Sequence, residues 1–197
     1  MSAIDWKNPW TRYLSTALAA VVLQTAILGY MVESRAAILR SGADVLLKSI
    51  PVDPRDFLRG DYVILAYDIS SIPAGMIAGD WPQAAERTTL TVRLAPQPDG
   101  FFAATQAAFG TLPPMPGTVL IRSQPFDFNG TRLTGDERLA VQYGIERYYV
   151  PEGEGRVLEQ ARNAALLSVA AKVSAAGTAQ IRTLLLDGKP IYQEPLY

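Results

Sequence analysis

The chain has 197 residues, 18 basic against 19 acidic side chains, and neither cysteine nor histidine. Without cysteine it has no disulfides, thiolate nucleophiles or thiolate metal sites, and without histidine it lacks the commonest general base and zinc ligand. Serine–histidine triads, zinc hydrolases and histidine-ligated haem are therefore excluded, and the near-neutral charge offers no basic stripe for nucleic acid.

The first element in chain order is the apolar run from Tyr13 to Val32, in which Gln24 is the one strongly polar side chain. At ~1.5 Å per residue, a helix of this length covers about 30 Å, the hydrocarbon thickness of a bilayer. Trp6, Trp10 and Tyr13 at one end and Tyr30 at the other suit the headgroup layer. A cleaved signal peptide would need a shorter apolar core and a small-x-small site, which Ser34 and Ala36 match poorly. A buried soluble helix would carry a polar stripe, and none is visible. The run therefore predicts an uncleaved transmembrane signal anchor over 13–32.

Lys7, Arg12 and the terminal amine outweigh Asp5 on the short side, so the positive-inside rule makes residues 1–12 a cytoplasmic tail. Residues 33–43 then form a juxtamembrane connector. Residues 44–197 form an ectodomain beyond the inner membrane, in the periplasm or outside. About 160 residues are enough for one domain with a real core.

Beyond the anchor the pattern is mainly β. Asp44 to Ile50 reads as a strand, and Pro51 and Pro54 break the chain before a second strand from Tyr62 to Ile69. Tyr62 to Tyr67 is apolar on both faces, as a central strand would be. The segment Ile72 to Glu86 is punctuated by Gly and Pro and has room only for a short helical turn. Thr88 to Ala95 alternates, with Leu90, Val92 and Leu94 opposite Thr89, Thr91 and Arg93, which predicts a half-buried strand.

Asp99-Gly100 turns into Phe101 to Phe109. Val119 to Ser123 and Thr131 to Leu133 flank Asn129-Gly130, and Leu139 to Val150 reads as one long aromatic strand. After Pro151-Glu152-Gly153-Glu154-Gly155, Val157, Leu158, Ala161 and Ala165 share one face of a short amphipathic helix. Ser168 to Ser174 and Ala179 to Leu186 pair about Gly177, and Asp187-Gly188 turns once more. The expected class is mainly β (α+β): one transmembrane helix, then a β-rich domain with one short helix.

Two stretches depart from plain alternation. In the first, Asp53, Asp56 and Asp61 alternate with Arg55 and Arg59 between Pro54 and Gly60. As a functional cluster these carboxylates would bind a metal or do acid–base work. As a structural one they are ion pairs and turn caps. The adjacent arginines favour ion pairs, and the spacing fails the calcium-loop pattern.

The second stretch is Glu146-Arg147-Tyr148-Tyr149-Val150-Pro151-Glu152-Gly153-Glu154-Gly155-Arg156. Its glycines could cradle phosphate at a helix start, but Glu152 and Glu154 occupy that positive end and repel anions. A carboxylate site could instead gather Glu146, Glu152, Glu154 and Asp61. The weak catalytic candidates are thus Asp53, Asp56, Asp61 and Glu152. A serine–lysine dyad of the signal-peptidase kind would have to use Lys48 with Ser41 or Ser49. Neighbours such as Lys48 and Ser49 point to opposite faces of a strand, and the motif order is wrong for those enzymes.

The run Gly60-Asp61-Tyr62-Val63-Ile64-Leu65-Ala66-Tyr67 carries in full the signature Gly60, Asp61, Tyr62, Leu65, Tyr67 of the GDYXXLXY protein family, which this chain resembles. PVDPRDFLR before it, ERYYVPEGEGR (with Glu146, Arg147, Tyr148, Pro151, Glu152 and Gly153) and the closing LLLDGKP are similar to that family as well. The resemblance implies a membrane-anchored protein without an assigned activity, often encoded beside polytopic membrane proteins. It supplies no catalytic residues.

The expected function is a non-enzymatic accessory or interaction subunit of a larger membrane assembly. Its partners would be the lipid bilayer and a polytopic membrane protein, with no cofactor, no metal and no nucleic acid. Tyr148, Tyr149, Tyr192 and Tyr197 are candidate contact residues. The alternatives are a carboxylate-dependent cell-envelope hydrolase and a ligand- or metal-sensing domain.

Overall fold

A computed structural model describes residues 9–51, 62–150 and 166–195 of the chain. It divides into an N-terminal unit ending at Ala37 and a second unit from Ile38. The first unit is dominated by α1, a single helix over Pro9–Ser41 whose last turn belongs to the second unit. Val21, Val22 and Leu23 are consecutive, so their side chains point about 100° apart. All three are roughly 60 % exposed, at 59 %, 60 % and 62 %. The helix is apolar all round, and it is long and apolar enough to cross a membrane.

The second unit is built from strands. In chain order they are β1 (Ala43–Ile50), β2 (Tyr62–Ile64), β3 (Ala66–Tyr67), β4 (Ser71–Pro73) and β5 (Ile77–Ala78). Then come β6 (Glu86–Thr88), β7 (Leu90–Pro96), β8 (Phe102–Phe109), β9 (Val119–Arg122) and β10 (Phe126–Phe128). The last are β11 (Arg138–Ala140), β12 (Arg147–Tyr149), β13 (Leu167–Val173), β14 (Ala179–Leu186) and β15 (Lys189–Gln193). Two short 3-10 turns, Asp68–Ser70 and Ala74–Met76, interrupt the first half, the second of them inside the Gly- and Pro-punctuated stretch.

A five-stranded sheet runs in the order β15-β14-β13-β1-β3, and a four-stranded sheet runs β5-β8-β7-β9. Three two-stranded pairs, β10-β6, β11-β4 and β12-β2, accompany them among the described residues. Both large sheets feed one core, with Val45, Leu47, Leu184 and Val169 from the first and Leu90, Val92, Leu94 and Ile121 from the second. The two are also linked by a hydrogen bond of 2.8 Å from the Arg122 amide to the Gly177 carbonyl. Asp187 and Gly188 take φ of 49° and 74° at the turn into β15, as a tight two-residue hairpin requires.

Four expectations need correction. The segment from Leu139 to Val150 is two short strands, because Gly144 takes φ +83° and turns the chain between β11 and β12. Thr131 to Leu133 is not a strand: the Asn129 side chain accepts the Thr131 amide at 2.9 Å, an Asx turn that diverts the chain. β10 pairs with β6 instead. β7 is buried on both faces rather than half-buried, since Thr91 and Arg93 are only 5 % and 3 % exposed. The Arg93 guanidinium is covered by the proline-rich turn, and donates to Pro113 O (2.6 Å), Thr118 Oγ1 (3.2 Å) and Gln106 Oε1 (3.2 Å).

The fourth correction concerns the signature strand. It is not central to a sheet but changes partners midway, pairing with β12 through Tyr62–Ile64 and with β1 through Ala66–Tyr67. Its apolar residues on both faces serve two neighbours in turn. The short helix expected after residue 155 lies outside the described residues.

Candidate functional site

The signature strand crosses the chain between β11 and β12, and this crossing holds a polar network against the core. Val63, Leu65 and Tyr67 share one face of the strand and are buried. The Tyr67 hydroxyl donates to the Ile145 carbonyl at 2.6 Å, and the Tyr143 hydroxyl donates to the Ile69 carbonyl at 2.6 Å. Each hydroxyl therefore reaches the carbonyl two residues beyond the other tyrosine. The result is a reciprocal clasp across two segments distant in sequence. Burial pushes both hydroxyls well above the ordinary tyrosine range, with the Glu146 charge as the second cause. They stay neutral and act as donors.

Glu146 closes the loop inside the clasp. Its carboxylate accepts the Tyr143 and Gly144 amides, and its own carbonyl accepts the Leu65 amide at 2.8 Å. Backbone N–H groups converging on an ionised carboxylate make strong, charge-assisted bonds. Both carboxylate oxygens are thus engaged in holding the turn. Asp68, which the sequence reading did not single out, lies beside Tyr67. Burial raises its pKa, against the pull of the Ile69 amide (2.8 Å) and of Lys48. A lone acidic residue followed by an isoleucine carries no signal in sequence.

A cleft of about 430 Å³ opens beside the clasp, lined by the buried Leu65 and Val141, by Phe126 and by the exposed Gln124 and Gln142. Ser70 and Glu146 line it as well. Among the described residues, no group of three or more acidic side chains could hold a metal ion.

The other sequence candidates scatter or fall outside view. Gly60, Asp61, Asp53, Asp56, Pro151, Glu152, Gly153 and Glu154 lie outside the described residues, as does Tyr197, and so does the side chain of Tyr62. Lys48 is exposed on β1 while Ser49 is fully buried, so the two face opposite sides, as strand alternation requires. Arg147 is exposed beside the motif on β12. Of the tyrosines proposed as contacts, Tyr149 is 74 % exposed. Tyr148 is instead buried, with its ring centroid 6.1 Å from that of Tyr192 and its hydroxyl on Glu194. Burial, aided by the Glu194 charge, pushes that hydroxyl up to about 12.

The GDYXXLXY protein family model matches residues 24–184, from the middle of α1 to β14. The chain belongs to this family. No curated protein and no solved structure matches it. The family match includes the whole clasp, and the structure gives the signature's physical content. Leu65 is a core residue whose amide docks on Glu146, and the final tyrosine, Tyr67, pins the crossing chain. In this GDYXXLXY protein the described part of the signature is a device for holding the fold.

Proposed function

We propose that this GDYXXLXY protein is a single-pass subunit of the inner membrane, with its strand-rich domain outside the cytosol. It would serve there as an accessory of a larger membrane assembly. The observation that supports this best is α1, apolar on every side over a length sufficient to span a bilayer. Such a helix is stable only in lipid or against other apolar helices, and both settings suit a subunit of a polytopic complex. The clasp supports the reading from the other side. Tyr67, Tyr143 and Glu146 are committed to fold-holding bonds, which suits a rigid binding module.

Purification of the full chain from native membranes in mild detergent tests this role. A polytopic membrane protein in fixed ratio, identified by mass spectrometry, is the expected result. A chain that runs alone at native expression overturns it. A reporter fused after Tyr197 tests the orientation, and activity of a cytosol-dependent reporter would refute it.

A further inference from the structure

Hydrocarbon has nothing to offer a hydrogen-bonding side chain, so each polar group on a spanning helix must find its partner in protein. Two hydroxyls of α1 do so locally. Thr16 and Ser34 donate to the Tyr13 and Met31 carbonyls, three residues back, at 2.9 Å each. Thr25 has a similar backbone route open to it. Gln24 is different. Its carboxamide is exposed and has no hydrogen-bond partner among the described residues. At ~1.5 Å per residue it lies roughly 16 Å along the helix from Tyr13 and roughly 14 Å from Glu33. Its side chain is too short to reach either headgroup layer.

The surroundings of Gln24 suit a second helix. At about 100° per residue, Ala17, Ala20, Leu28 and Met31 fall within about 40° of it, and all of them are exposed. Ala17, Ala20, Gln24, Ile27 and Met31 follow one another at intervals of three and four, the period of a left-handed helix pair. The two alanines, a turn or two before Gln24, let a neighbouring backbone come close.

The carboxamide also says which helix fits. It holds N–H donors and a carbonyl acceptor on one planar group, so it complements a second carboxamide with two reciprocal bonds. Two copies of this chain that cross the bilayer in the same direction bring Gln24 to the same depth by identity. A helix of another protein needs a polar group placed at that level independently.

We propose that α1 pairs in parallel with α1 of a second copy of this chain, through reciprocal hydrogen bonds between the two Gln24 carboxamides. The pairing rests on the membrane-spanning part of the subunit reading and goes beyond it, since it requires no polytopic partner.

The test uses the full chain in phosphatidylcholine vesicles, with donor and acceptor fluorophores fused after Tyr197 on separate copies. Energy transfer that saturates with the acceptor fraction is expected. Q24L, which makes the helix more apolar and leaves the outer domain untouched, should weaken pairing by about ten-fold, as loss of two interhelical hydrogen bonds implies. Q24N keeps the carboxamide and should weaken it less than Q24L. V22A, on the opposite face, should leave it unchanged. Because the chain has no cysteine, single cysteines map the contact: A17C and A20C should cross-link on oxidation, and A19C and A26C should not.

Absence of energy transfer at every lipid ratio overturns the pairing, as does equal pairing of Q24L and wild type, or cross-linking through A19C and A26C instead. Membrane co-purification keeps the two readings apart. A wild type that pairs but holds no polytopic protein removes the subunit role and leaves the pair standing. A wild type that stays single in vesicles, and whose polytopic partner is lost in Q24L, assigns Gln24 to that partner and removes the pair.

Discussion

Two regions of the same core are held by different forces. Around Trp81 the core is aromatic: the Trp81 ring lies 5.2 Å from Phe109 and 5.8 Å from Phe128, all tilted rather than stacked. Arg132 sits 5.8 Å above the indole. Trp81 is 4 % exposed and its indole N–H has no partner among the described residues, so area and dispersion hold this region. Around Tyr67 the core is polar: two hydroxyls and one carboxylate satisfy the carbonyls and amides that the crossing leaves behind. Aromatic packing tolerates an orphaned donor when enough area is buried. A chain crossing without a ladder needs its backbone groups answered one by one.

The sharpest way to break the comparison is Trp81→Ala, which should cost about 3–5 kcal/mol of unfolding free energy, since it removes a large buried ring. Denaturant unfolding of the detergent-solubilised chain would measure it. A loss below about 1 kcal/mol would show that the aromatic cluster is not a main support.

Tyr67→Phe and Tyr143→Phe keep the rings and remove only the hydroxyls, so each should cost about 1–3 kcal/mol by orphaning a carbonyl. Because the two bonds join the same pair of segments, the double variant should depart from additivity by about 0.5 kcal/mol or more. Simple addition would mean that the clasp is two independent bonds.

The clasp also fixes the alkaline limit of stability. Tyr67, Tyr143 and Tyr148 all have hydroxyl pKa values raised above 10.0 in the folded state. The unfolded chain therefore loses these protons first as pH rises. The stability they contribute is complete below about pH 10 and is lost above it, through the higher folded values, at roughly 1.4 kcal/mol per pH unit for each fully buried tyrosine. Thermal unfolding should be flat in this respect from neutrality to about pH 10 and then fall. Tyr67→Phe should flatten the fall, and Trp81→Ala should leave its slope unchanged.

Glu146→Gln is the mildest probe of the clasp. One oxygen still accepts an amide while the charge is lost, for an expected cost of roughly 1–2 kcal/mol. Lys172→Ala serves as the surface reference. It removes a 2.8 Å ion pair to an Asp44 side chain that is 82 % exposed, so it should change stability by less than about 1 kcal/mol.

Among the strands legible in sequence are two pairs whose partners are local. β7 with β8 and β13 with β14 are hairpins, signalled by alternation and by Asp99-Gly100 and Gly177. The signature was legible as a pattern, but its physical role was not. That Tyr67 bonds Ile145 depends on a contact 78 residues away, and no local rule reports it. Arg93 misled for a related reason. A charged residue on an alternating strand reads as solvent-facing, yet the proline-rich turn supplies two neutral acceptors, Pro113 O and Thr118 Oγ1, strand β8 supplies a third, Gln106 Oε1, and the residue is buried.

The amino-acid sequence by itself determined the apolar rod at the N-terminus, the strand-rich class and the chemistries ruled out by missing cysteine and histidine. Those are matters of composition and short-range period, which local physics decides. The split of the signature strand between two partners, the reciprocal tyrosines and the cleft beside them were decided by the tertiary structure alone. Each depends on where a distant backbone carbonyl comes to rest, and only the packed core fixes that position.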